Sequence, residues 1–216
     1  MIAGRRPLRT RGTRWAAWLS RSLLGMGVRP NQVSVFSVVF AAASAFCFYL
    51  ISRGPDSSFW LWMGAAAGIQ GRLICNLMDG MLAVEGGLKT ADGELYNEFP
   101  DRLSDPLILV TLGHAGGDAN SILLGWLCAT GSLLTAAVRL QGAAIAGTHD
   151  FSGPMAKPHR MALATGACLF MAVVEATHST IRPLPWILGI MTLGITITVI
   201  RRLVRLSRTL STPPGS

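Results

Sequence analysis

Six apolar runs of membrane-spanning length constrain this chain most. A helix needs about 20 mostly apolar residues to cross the hydrocarbon core of a bilayer. Such runs occupy Gln32–Ile51, Phe59–Ala83, Leu95–His114, Ser121–Leu140, Met161–Thr177 and Leu184–Val204. Gly and Pro mark the joints at Gly54-Pro55, Gly86-Gly87, Gly116-Gly117, Gly153-Pro154 and Pro183 to Pro185. Helices satisfy their own backbone groups in lipid, so the fold class this predicts is all-α and integral to the membrane.

Composition bears on what else the chain could be. Only 14% of its 216 residues are charged and 50% are hydrophobic. A soluble domain carries about 25% charged residues. The formal charge of +8 raises nucleic acid as a partner. The basic residues, however, stand in short clusters between apolar runs, so no nucleic acid is expected. Cys47, Cys75, Cys128 and Cys168 lie singly inside the runs and form no zinc or disulfide pattern. No small-residue cleavage site follows the N-terminal apolar stretch, so a signal peptide is not expected.

Lys and Arg orient the spans. Arg5, Arg6, Arg9, Arg11, Arg14, Arg21 and Arg29 precede the first span. Lys89 lies in the second connection, Lys157 and Arg160 in the fourth, and Arg201, Arg202, Arg205 and Arg208 at the C-terminal end. The other connections hold Arg53 and Arg182. Both termini are therefore expected in the cytoplasm. Trp15, Leu19, Leu23 and Met26 recur at helical spacing and predict an N-terminal amphipathic helix, either interfacial or a plain anchor. Residues 1–30 then form a basic arm with that helix, 31–205 the membrane domain, and 206–216 a basic, flexible tail. Trp60, Trp62 and Trp186 are expected in an outer aromatic belt.

The second and third spans carry polar residues that a bilayer penalises. Asn76, Asp79, Gly80 and Ala83 recur at i, i+3, i+4 and i+7, on one helix face. Gly93, Asn97 and Asp101 recur every four residues on the next helix, with Asp105 one turn on. Carboxylates facing one another across a helical hairpin repel unless a cation separates them. Oxygen-only ligands suit Mg²⁺, Mn²⁺ or Ca²⁺. Arg72 stands four residues before Asn76 and so shares its face.

These residues resemble the CDP-alcohol phosphatidyltransferases, whose signature is D-x2-D-G-x2-A-R-x8-G-x3-D-x3-D. This chain reads Asn76-x2-Asp79-Gly80-x2-Ala83-Val84-x8-Gly93-x3-Asn97-x3-Asp101, with every spacing kept. Arg29-Pro30-Asn31-Gln32-Val33-Ser34 is similar to the family's Pro-Asn-x-x-Thr/Ser segment before its first span. The resemblance covers nearly the whole chain. It implies displacement of CMP from a CDP-linked lipid, usually CDP-diacylglycerol, by an alcohol hydroxyl. Asn76, Asp79, Asn97 and Asp101 would hold one or two Mg²⁺ or Mn²⁺ ions, and Asp101 would act as general base. Asn31, Arg72, Gly80, Ala83 and Gly93 would receive the nucleotide, and Lys157 and Arg160 an acceptor phosphate. It also implies a multi-pass enzyme of the cell (inner) membrane with its site on the cytoplasmic side, and it is compatible with a homodimer.

The chain departs from the signature at three positions. Asn76 and Asn97 replace Asp, and Val84 replaces Arg. Two formal charges are lost, so weaker metal binding is expected. Glu85, Glu94, Glu98 and Asp105 lie near enough in sequence to restore charge. The same departures support a second reading, a catalytically impaired relative that binds lipid or nucleotide as a scaffold. A transporter is the third reading, and only one charged hairpin speaks for it.

Overall fold

A computed structural model describes residues 12–54, 58–88, 93–147 and 149–211, with the side chain of Glu94 outside that set. Arg5, Arg6, Arg9, Arg11 and Lys89 also lie outside the described residues. Seven helices make up the described chain: α1 (Arg14–Gly25), α2 (Pro30–Ser52), α3 (Phe59–Glu85), α4 (Gly93–Ala115), α5 (Ala119–Ala146), α6 (Lys157–Ala176) and α7 (Leu184–Ser211). Four of them, α2, α5, α6 and α7, are long and apolar enough to cross a membrane. Those four coincide with expected spans. Helices α3 and α4 have the length, but carry the polar residues that the sequence singled out.

Local chemistry explains the helix ends. Pro30 opens α2 at a position where a missing N–H costs nothing, and the Gln32 side chain accepts the Arg29 N–H at 3.0 Å. Asp118 caps α5 by accepting the Ser121 N–H at 2.9 Å. Gly147 ends α5 with φ of 65°, a conformation that favours glycine. Helix α7 runs on to Ser211, so its final arginines are helical.

Small residues decide which helices touch. A Cβ on Gly68 would come within 2.3 Å of Ser44 Oγ and 2.8 Å of the Phe40 carbonyl, which sets α3 tightly against α2. A Cβ on Gly125 would stand 2.8 Å from Gly113 Cα, so α4 and α5 cross nearly backbone to backbone. Helix α2 packs on both α3 and α4, α4 on α5, α5 on α7, and α3 on α6. Phe48, Ile69, Leu109, Leu112 and Met161 fill the main core between these contacts. A second core lies beneath α1, where Ala16, Met78, Met81 and Leu82 are buried and Leu19 and Leu23 pack on them.

One of the three tryptophans expected in the belt is not exposed. Trp60 and Trp186 are each 79% exposed, whereas Trp62 is fully buried and packs edge-on against Phe48. The i, i+2 spacing of Trp60 and Trp62 puts them on different sides of one helix, so a single belt cannot hold both. His114 and His159 lie within α4 and α6. Phe46, Leu123, Trp126, Ile190 and Leu193 point outward, as a lipid-facing surface requires.

Candidate functional site

One carboxylate organises the site. Asp101, on α4, is almost buried and has both oxygens occupied. Its Oδ1 accepts from Arg72 Nη2 at 2.8 Å and from Asn76 Nδ2 at 3.0 Å. Its Oδ2 accepts from Lys157 Nζ. One α-helical turn on, Asp105 pairs with the same Arg72 at 2.5 Å and with Arg160 at 3.0 Å. Arg72 is wholly buried, and α3 delivers it to two acids of α4. A buried guanidinium needs such partners, because an unpaired charge in this environment costs several kcal/mol.

Apart from Arg72, which is wholly buried and not part of the wall, these groups border a cavity of about 430 Å³ between α1, α3, α4, α5, α6 and α7. Asn76, Asn97, Asp101, Lys157 and Arg160 all line it. The predicted facing of the two motif halves, and of the basic start of α6, is therefore present. Asp79 is placed differently. It is buried against α2, where Ser34 Oγ donates to its Oδ2 at 2.7 Å. Asn31, Gly80, Ala83 and Gly93 are half-buried and are not part of the cavity wall.

Two of the four acids expected to restore lost charge, Asp105 and Glu98, are already engaged, while Glu85 is exposed and the side chain of Glu94 lies outside the described residues. Asp105 is held by two arginines, and Glu98 is held by Arg102 and Arg139. Arg139 donates to both Glu98 oxygens at 2.6 Å and lies 5.1 Å over the Phe151 ring. It therefore faces the cavity. Arg202 was counted only as a positive-inside residue. It lines the same cavity and donates to the Thr135 carbonyl at 2.6 Å and the Ser152 carbonyl at 3.0 Å. Ser34 was quoted only as part of a motif, and its bond to Asp79 is the role that the motif left unstated.

The donor set can be tested against the metal that the resemblance implies. Among the described residues no three His, Cys, Asp or Glu side chains converge as ligands. Asp79 and Asp101 with the amide oxygens of Asn76 and Asn97 make an all-oxygen set with two charges. That chemistry fits one hard divalent ion.

Comparison with solved structures places this geometry. The chain aligns with the crystal structure of the Mycobacterium tuberculosis phosphatidylinositol phosphate synthase with CDP-DAG bound. The TM-score is 0.73 at 20% identity, covering 94% of this chain and 96% of that one. The chain shares the fold of that synthase. The same enzyme in complex with manganese and citrate aligns with a TM-score of 0.72 at 20% identity, covering 93% and 90% of the two chains. Its apo form aligns with a TM-score of 0.70 at 21% identity, covering 91% and 96%. No protein-family model and no curated protein sequence matches the chain.

Proposed function

We propose that this chain is a CDP-alcohol phosphatidyltransferase. It would displace CMP from a CDP-linked lipid, most simply CDP-diacylglycerol, with an alcohol hydroxyl. The observation that carries the reading is Asp101 at the centre of a cavity walled by Asn76, Asn97, Lys157 and Arg160. Cations beside a positioned carboxylate are what a diphosphate and an attacking hydroxyl require. The fold shared with a synthase crystallised with CDP-DAG supports the same donor.

The chemistry balances on this chain's residues. The acceptor oxygen forms a bond to the phosphorus that bears the lipid. The bridging P–O bond breaks, and CMP leaves with its electron pair. Asp101 takes the hydroxyl proton. Lys157 and Arg160 hold phosphate charge, and their position at the start of α6 adds the N–H groups of a helix N-terminus. A divalent ion held by Asn76, Asp79, Asn97 and Asp101 would supply further positive charge toward the diphosphate. In this reading six helices, α2 to α7, span the cell membrane with both termini and the cavity on the cytoplasmic side. Helix α1 lies in the headgroup layer.

The test is release of CMP from CDP-diacylglycerol by the purified protein, with Mg²⁺ or Mn²⁺ and a pool of alcohols. Metal-dependent release that Asp101→Asn lowers by roughly 10²- to 10⁴-fold is the expected result. Binding of CDP-diacylglycerol with no CMP release under any metal or alcohol would favour the scaffold reading.

A further inference from the structure

We infer that Phe151 limits the size of the acceptor, by walling the cavity that holds Asp101 off from a second cavity behind it. The inference rests on the reading above that an alcohol attacks a CDP-linked lipid in the first cavity. Its observation is a pair of stacked rings at the boundary between the two cavities. The second cavity, of about 300 Å³, lies between α5, α7 and the chain that joins α5 to α6. Arg139 and Arg202 line both cavities. Phe151 lines the first and His149 the second. The two rings stack with centroids 6.0 Å apart and planes 14° apart. They therefore stand side by side where the cavities meet.

The first cavity has two unlike sides. Trp15, Leu73, Ile74 and Leu77, from α1 and α3, make one side apolar. Thr135, Arg139, Arg160 and Arg202, from α5, α6 and α7, make the other side polar. The acyl chains of a lipid donor belong on the apolar side, so the acceptor is left the polar side, where Phe151 stands. The ring is held firmly there. Glu98 accepts two bonds from Arg139 at 2.6 Å, and that guanidinium lies 5.1 Å from the Phe151 centroid. Ser152 N–H donates to Asp150 Oδ1 at 2.8 Å, and Arg202 Nε donates to the Ser152 carbonyl at 3.0 Å. Met155 N–H donates to Thr198 Oγ1 on α7 at 3.0 Å, and a Cβ on Gly153 would stand 2.4 Å from the same threonine. Tied to α7 on both sides of the ring pair, Phe151 is a wall rather than a swinging gate. Removing its ring would open the first cavity into the second, whose volume falls within the range of small-molecule sites, about 300–1,000 Å³. Hydroxyl groups entering it would meet Asp150, Arg205 and Thr209. They would also meet His149, whose buried Nδ1 has no hydrogen-bond partner among the described residues.

The experiment measures kcat/KM for CMP release from CDP-diacylglycerol by the purified full-length protein. Each alcohol that supports release, with glycerol, inositol and their monophosphates tried first, is paired with its derivative one galactose ring larger. The readout is the ratio of the larger to the smaller acceptor within a pair, which a general loss of activity or stability does not move. The unaltered protein should prefer the smaller acceptor. Phe151→Ala should raise the ratio by roughly 10-fold or more, the order of discrimination that pocket shape supplies. The gain should appear in the acceptor KM rather than in the CDP-diacylglycerol KM. Phe151→Leu keeps more of the packing and should raise the ratio by less, and it decides the matter where the alanine variant does not fold. Thr209→Trp fills the second cavity, so adding it to Phe151→Ala should return the ratio to its original value. Equal use of both acceptors by the unaltered protein, an unchanged ratio in the Phe151 variants, or a gain that Thr209→Trp leaves in place would each overturn the proposal. No CMP release with any alcohol would overturn the proposed function and this inference with it. CMP release with an unchanged ratio would overturn this inference alone.

Discussion

Replacing Arg72 by Met keeps side-chain length and apolar bulk and removes the charge. Arg72 has no solvent exposure, and its partners Asp101 and Asp105 are 9% and 5% exposed. The change therefore leaves two nearly dry carboxylates short of a cation. Lys157 still holds Asp101 and Arg160 still holds Asp105, so the deficit is one charge rather than two. Removing one partner of a buried ion pair costs about 3–5 kcal/mol. In a protein of this size each kcal/mol lowers Tm by about 2–4 °C, so Arg72→Met should lower it by roughly 6–20 °C. Thermal unfolding in detergent, followed by tryptophan fluorescence, measures this. The pairing itself is isolated by Asp105→Asn and by the double variant. If Arg72 acts through charge, the double variant should be less damaged than the sum of the singles by about 0.5–3 kcal/mol. A single-variant loss below about 1 kcal/mol, or strict additivity, would refute the reasoning.

Two further predictions concern helix ends and crossings. The Asp118 carboxyl lies below the usual carboxylate range, first because Ser121 donates to it and then because the N–H groups of Ser121 and Asn120 do the same. Asp118→Ala should cost about 1 kcal/mol at neutral pH. A lowered folded value means that the contribution is present above the unfolded value of about 3.9 and fades as pH falls through the folded one. The gap between the two proteins, measured as ΔTm from pH 7 to pH 3, should therefore close at the acid end. Gly125→Ala forces a Cβ to 2.8 Å from Gly113 Cα and 2.9 Å from the Leu109 carbonyl, and should destabilise by about 1–3 kcal/mol. Gly166→Ala meets nothing within 4 Å in the middle of α6, so the same thermal assay should register a gain of up to about 1 kcal/mol.

The helices were legible because apolar runs of about 20 residues, four of them apolar enough to cross a membrane, are set off by Gly and Pro. Apolar runs and Gly-Pro joints brought each expected span close to an observed helix. The facing of Asn76 and Asp101 was also legible, since helical periodicity put each on a definite face of its own helix. Side-chain choice among several partners was not. Asp79 and Asn76 differ by three residues, yet one turns to Ser34 on α2 and the other to Asp101 on α4. Nothing in spacing distinguishes them, because the decision rests with helices 25 to 45 residues away. The cavity-facing positions of Arg139 and Arg202 were not legible for a related reason. A basic residue near a span end satisfies the positive-inside rule whether it faces water or a cavity, and only the presence of Glu98, Phe151 and Thr135 decides which.

The distribution of charge among the helices bears on how the chain enters its membrane. The acids Glu98, Asp101 and Asp105 all sit on α4, while their cationic partners come mainly from α3, α5 and α6. Helix α4 is too polar to partition into lipid by its own hydropathy, and α3 carries a buried arginine of its own. Neither is among the four helices long and apolar enough to cross a membrane. They are expected to leave the translocon together, with Arg72 already paired to Asp101. The pair is then completed only when α6 is synthesised, more than fifty residues later, and delivers Lys157 and Arg160. A chain ending before α6 would lack the Lys157 and Arg160 partners of Asp101 and Asp105. The ion pairs around the cavity are in this sense complete only once synthesis has reached α6.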